Sequence, residues 1–155
     1  MSEAAAWIMK INDTLYISVS RTELVHIISD PEMIPVPRAP SYCRYITLWN
    51  DNILPVADFT RLINKENNII NNHIVAVTSY RDHDQNVQYG GIMLAESPVL
   101  EHVKNDQFCA LSDATVKLRA ISLSCFTSKR GFQVPVIDMS KLFSSEYSAM
   151  LEQQP

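Results

Sequence analysis

The chain has 155 residues, 46% of them apolar and 19% charged, with a net charge of −4. That is enough apolar chain for one compact domain or two small intertwined lobes, and it excludes an intrinsically disordered chain. Its one adjacent basic pair, Lys129-Arg130, makes no phosphate-binding stripe, so no nucleic-acid partner is expected.

No apolar run approaches the ~20 residues that span a bilayer. Met1 to Lys10 lacks the basic start and long apolar stretch of a signal peptide. A cytoplasmic protein without membrane insertion is the expectation. The three cysteines, Cys43, Cys109 and Cys125, form no C-x-x-C, which argues against a disulfide framework and a zinc site. Each reads as a reduced, small buried hydrophobe.

Taken in order, the elements are mostly strands. Ala6 to Ile11 and Thr14 to Val19 flank Asn12-Asp13, a two-residue turn signal, and predict a hairpin. Arg21 to Ile28 fits a strand or a helical turn. Pro31, Pro35, Pro37 and Pro40 then impose an extended connector, because each proline removes a backbone donor. Tyr45 to Trp49 and Ile53 to Ala57 flank Asn50-Asp51-Asn52 and predict a second hairpin. Asp58 is placed to cap a short helix over 59–63. Asn64 to Asn72 reads as a polar loop. His73 to Tyr80 with Val87 to Leu94, and Leu118 to Phe126 with Phe132 to Ile137, predict two further hairpins around a short strand at Val99 to Val103. Asp138 caps a last helix, from Met139 to Leu151.

An internal repeat organises these elements. Leu54-Pro55-Val56-Ala57-Asp58-Phe59-Thr60-Arg61-Leu62-Ile63 aligns with Val134-Pro135-Val136-Ile137-Asp138-Met139-Ser140-Lys141-Leu142-Phe143, every position identical or chemically similar. Upstream, Ile46-Thr47-Leu48 echoes Ile121-Ser122-Leu123. In each copy a strand carries a proline expected on an edge or facing a bulge, an Asp ends the strand and accepts from free helix N–H groups, and a leucine folds back onto the strand. The expected architecture is mainly β: two lobes, 1–70 and 71–155, each a hairpin, a connector, a hairpin and a short helix.

With this order of elements the chain resembles the CheW family of chemotaxis adaptors. The matching residues are Leu24-Val25-His26-Ile27, the connector Ile34 to Tyr42, the strand Ile53 to Phe59, Gly91-Ile92-Met93-Leu94 followed by Val99-Leu100-Glu101-His102-Val103, and the closing Val134 to Leu142. The resemblance covers nearly the whole chain through the order and spacing of its motifs. It implies two intertwined five-stranded SH3-like barrels with short helices, no catalytic centre and no cofactor. It also implies two partners: the regulatory domain of a CheA-type histidine kinase, met barrel end to barrel end, and the tip of a methyl-accepting chemoreceptor, held in the groove between the lobes.

The chain departs from the family where contacts are made. Leu48-Trp49-Asn50-Asp51 replaces an Asn-Leu-Arg-Gly turn, Tyr45 stands for the preceding Gly, and His26 for a Glu. Asn and Asp tolerate the left-handed backbone such a turn needs, but Asn50 cannot replace the forked donors of Arg. This implies a divergent adaptor, serving a type IV pilus or another non-flagellar array, or a module with a new partner.

The partner-binding residues expected are Leu24, His26, Tyr45, Thr47, Trp49, Asn50, Asp51, Val99 and Glu101. Strand alternation with Ile46 and Leu48 inward turns Tyr45, Thr47 and Trp49 outward, and Trp is a favoured interface anchor. Asp82-His83-Asp84 sits in a tight turn where successive side chains point apart, so no metal is expected. Without a G-x-S-x-G, a P-loop or a G-x-G-x-x-G, no enzyme is expected; Cys43 with His26 is the one conceivable nucleophile and base.

Overall fold

The computed structural model of the protein describes residues 3–64, 74–111 and 116–152. The polar run predicted as a loop lies almost wholly outside them, as does His73. The described chain runs β1 (Glu3–Lys10), β2 (Tyr16–Ser20), β3 (Leu24–Ile28), β4 (Ile34–Pro35), β5 (Tyr45–Trp49), β6 (Asn52–Ala57), α1 (Phe59–Asn64), β7 (Ile74–Arg81), β8 (Val87–Leu94), β9 (Val99–Lys104), α2 (Val116–Arg119), β10 (Ser122–Thr127), β11 (Gln133–Ile137), α3 (Met139–Leu142) and α4 (Ser145–Glu152). The mainly β expectation holds.

Two sheets form, in the orders β10-β11-β2-β1-β9 and β3-β7-β8-β6-β5-β4. The repeat is visible in their pairing. β6 runs parallel to β8 with Val56 opposite Gly91, and β11 runs parallel to β2 with Val136 opposite Ser18. β3 pairs antiparallel with β7, as β9 does with β1. Each sheet therefore joins the first hairpin of one repeat copy to the later strands of the other. Both sheets draw on strands from either side of residue 70. Two-residue β4 makes the second sheet six-stranded rather than five; Pro35 lies on this outer strand, where a missing donor costs no ladder bond.

The exchange places the core. β1 and β2 bury both faces, so consecutive residues serve different clusters. Met9, Ile17 and Val19 meet Ala57, Ile92 and Leu142 between the sheets, while Ile8 packs with Val103, Phe126 and Val134 inside the first sheet. Leu62 and Leu142 fold back into the inter-sheet core as the repeat predicts. Each fully buried side chain of this size contributes about 1.5–3 kcal/mol.

The two proline-containing corners superimpose in their hydrogen bonds. Asp58 donates its N–H to Tyr42 and Asp138 to Ile121, each at 2.7 Å. Asp58 Oδ1 accepts from the Arg61 N–H at 3.2 Å, and Asp138 Oδ1 from that of Lys141 at 3.3 Å. Tyr42 and Ile121 are thus equivalent, and so, by pairing with Pro55 and Pro135, are Ile46 and Cys125. The Ile46-Thr47-Leu48 to Ile121-Ser122-Leu123 echo was out of register, because Leu118 to Ile121 leave the sheet through α2 and its following turn.

Two other differences are local. The first hairpin closes through a wider loop, in which Asn12 Oδ1 accepts from the N–H groups of Thr14 and Leu15, both at 2.9 Å. The last helix breaks after Phe143, and the Ser144 hydroxyl accepts from the Tyr147 N–H to start α4 afresh.

Candidate interaction surface

The β5–β6 turn sets the first patch. Asn50 and Asp51 take φ of 49° and 63°, the two left-handed positions of a tight hairpin turn, and Trp49 pairs with Asn52 across it. Trp49 is thereby held at the end of the sheet. Its ring lies 6.0 Å from that of His26 on β3 and 5.4 Å from that of Tyr89 on β8, the latter edge-on at 60°. Contacts of the edge-on kind add about 0.5–1.5 kcal/mol beyond area burial. His26, Asn50 and Asp51 are exposed beside it.

The strand alternation is the reverse of that expected. Thr47 is buried, whereas Leu48 is 54% and Ile53 67% exposed. Thr47 pairs with Leu54 and Tyr45 with Val56, so these side chains share the inner face. Burial of Thr47 is tolerable because its hydroxyl donates to the Glu32 carbonyl at 2.8 Å. Thr47 therefore faces inward, not outward as expected. Leu24 and Tyr45 are half-buried, Leu24 against the inter-sheet core.

Val99 and Glu101 belong to the other sheet, at the place equivalent to β3. Val99 opposes Ile8, itself opposite Ser18; His26 opposes Val77, itself opposite Gly91. Val99 is therefore the repeat mate of His26, and Tyr16 that of Tyr89. Tyr16 stacks on Phe132 with centroids 4.1 Å apart. Val99 is 58% exposed. Glu101 is half-buried and engaged: it accepts from Gln107 Nε2 at 3.2 Å and from the Lys129 N–H at 3.3 Å, bracing the β10–β11 turn. The residues expected to contact partners fall at two related sheet ends.

Between the sheets, the β7–β8 hairpin faces α3 and α4 across two adjoining cavities of about 380 and 710 Å³. Tyr80, Arg81, Asp138 and Ser140 line both. Val87 and Leu123, exposed by 48% and 65%, flank the smaller one. Glu23 lines it too; burial, with the charge of Asp138, holds its carboxyl above the usual range. Sequence reading found Asp138 only as a cap. It missed Tyr89, Val87 and Leu123, although the match between Tyr16 and Tyr89 follows once the repeat is placed in register.

Burial pushes the Cys43 thiol up to about 11, far from the thiolate a nucleophile needs. Asp82 is spent on its own turn, accepting from the N–H groups of Asp84 and Asn86, and these bonds hold its carboxyl below the usual range. Among the described residues no three His, Cys, Asp or Glu side chains gather as metal ligands, and no helix is long and apolar enough to cross a membrane.

No protein-family model matches the chain, and no curated protein matches it in sequence. Solved structures do match. The crystal structure of scaffolding protein TtCheW from Thermoanaerobacter tengcongensis superimposes with a TM-score of 0.74 over 94% of this chain and 96% of that chain, at 10% sequence identity. The fold is CheW-like.

Proposed function

We propose that this chain is a non-enzymatic cytoplasmic adaptor that couples chemoreceptors to a CheA-type histidine kinase. The observation that carries the reading is a CheW-like fold over nearly the whole chain. The aromatic sheet end at Trp49 then serves as the kinase-facing surface and the inter-sheet groove receives the receptor tip. Coupling requires that these contacts differ between kinase-on and kinase-off states, since equal binding to both shifts nothing. The partners, in turn, decide whether the array drives flagella or a type IV pilus.

A second reading is a CheW-fold module that has lost kinase coupling and binds another protein. The turn at Asn50 and Asp51 favours it, because no guanidinium stands where the family carries Arg. Calorimetric titration with the CheA-type regulatory domain of the same genome separates the two. Micromolar or tighter binding, weakened about tenfold or more by Trp49→Ala, supports the adaptor. Absence of binding that Asn50→Arg with Asp51→Gly restores supports the second reading, and absence of binding by both forms removes kinase recognition altogether.

A further inference from the structure

We infer that Cys109 and Cys125 are a reversible redox pair that closes to a disulfide, pinning the segment before α2 to the outer edge of the first sheet. β10 is the outermost strand there. Its edge is covered by a short bridge, Phe108 opposite Phe126, and the Cys109 N–H donates to the Cys125 carbonyl at 3.0 Å. The two sulfurs are 3.1 Å apart. That is about 1 Å beyond a disulfide bond length, a gap that small side-chain rotations close. Backbone pairing already holds the two residues face to face, so no segment must travel for the bond to form.

The pair is asymmetric. Cys109 is half-exposed and Cys125 is buried. Burial first, then the hydrogen bond and charge of Cys109, push the Cys125 thiol up to about 12. Cys109 is therefore the sulfur an oxidant reaches. With hydrogen peroxide, the Cys109 thiol gives up its proton, the thiolate attacks one peroxide oxygen, the O–O bond breaks, and the hydroxide that leaves takes up that proton, so sulfenic acid and water form. The Cys125 sulfur then attacks the Cys109 sulfur, the S–O bond breaks, and the second water leaves with the Cys125 proton. Two thiols lose two electrons and two protons, and the peroxide becomes two waters. Cys43, packed against the inter-sheet core, has no part in it.

The test treats the reduced full-length protein with hydrogen peroxide and reads intact mass and tryptic peptides without reductant. The expected result is loss of two hydrogens, with the Cys109 peptide linked to the Cys125 peptide and dithiothreitol reversing it. Cys43→Ser should behave like the parent, and Cys109→Ser should give no link. Amide exchange at Cys109 should slow on oxidation. Over-oxidation of Cys109 with Cys125 still a free thiol, or links made only through Cys43, would overturn the inference. The wild-type measurement and the Cys109→Ser control stand even if Cys125→Ser fails to fold.

Discussion

The buried Ser18 hydroxyl donates to the Pro135 carbonyl at 3.1 Å, across the one parallel seam that ties the N-terminal hairpin to the end of the chain. In the second sheet Thr78 Oγ1 donates to the Gly90 carbonyl at 2.9 Å, within the antiparallel β7–β8 pair. Both hydroxyls take up carbonyl capacity inside buried sheet. Ser18→Ala should cost about 1–2 kcal/mol in urea unfolding, with the slope against urea unchanged.

The paired corners make a second prediction. Asp58→Ala and Asp138→Ala should each cost about 1 kcal/mol by loss of a cap. Asp58 also meets Arg61 Nε at 3.5 Å, and Asp138 also accepts from the Ser140 hydroxyl at 2.7 Å, so neither corner should prove negligible. Asp58 bonds Tyr42 and Arg61, whereas Asp138 bonds Ile121, Ser140 and Lys141, so the double variant should show the two costs added to within about 0.5 kcal/mol. Strong coupling between them would show that they are linked through the core.

The corners were legible because each is local: a proline that cannot donate, an Asp that caps, and a leucine four residues on. So was the tight turn at Asn50 and Asp51, two residues that accept positive φ. Their neighbours misled. Alternation fixes that Thr47 and Leu48 face opposite ways, but not which faces in, and hydrophobicity picks the wrong one when the Thr47 hydroxyl finds the Glu32 carbonyl. The exchange of hairpins left no local trace. It depends on β2 choosing β11 and β8 choosing β6, strands far away in the chain, and with it went the meeting of His26, Trp49 and Tyr89.

Gly90 gives a third test. A methyl group there would overlap the ring of Phe143, which stacks on Tyr80 with centroids 5.7 Å apart. Gly90→Ala should destabilise by about 1–3 kcal/mol. Phe143→Leu should recover part of that loss in the double variant, since it removes the ring that stands in the way.

Alkaline stability follows from Tyr147. It is buried, its hydroxyl donates to the Lys117 carbonyl at 2.7 Å, and burial drives its ionisation far above the ordinary range. An unfolded tyrosine ionises near pH 10. Above that pH the folded chain holds a proton the unfolded chain has lost, so stability falls as pH rises. Stability measured from about pH 9 to 11 should decline, and Tyr147→Phe should flatten the decline while lowering stability at neutral pH by about 1 kcal/mol.

Phosphate incorporation by the CheA-type kinase, in membranes carrying its chemoreceptor, with and without this chain, addresses coupling itself. Kinase activity that rises when the chain is added, responds to attractant, and falls with Trp49→Ala is the predicted result. An unchanged phosphorylation rate, with the chain folded and both partners competent, would contradict the assignment.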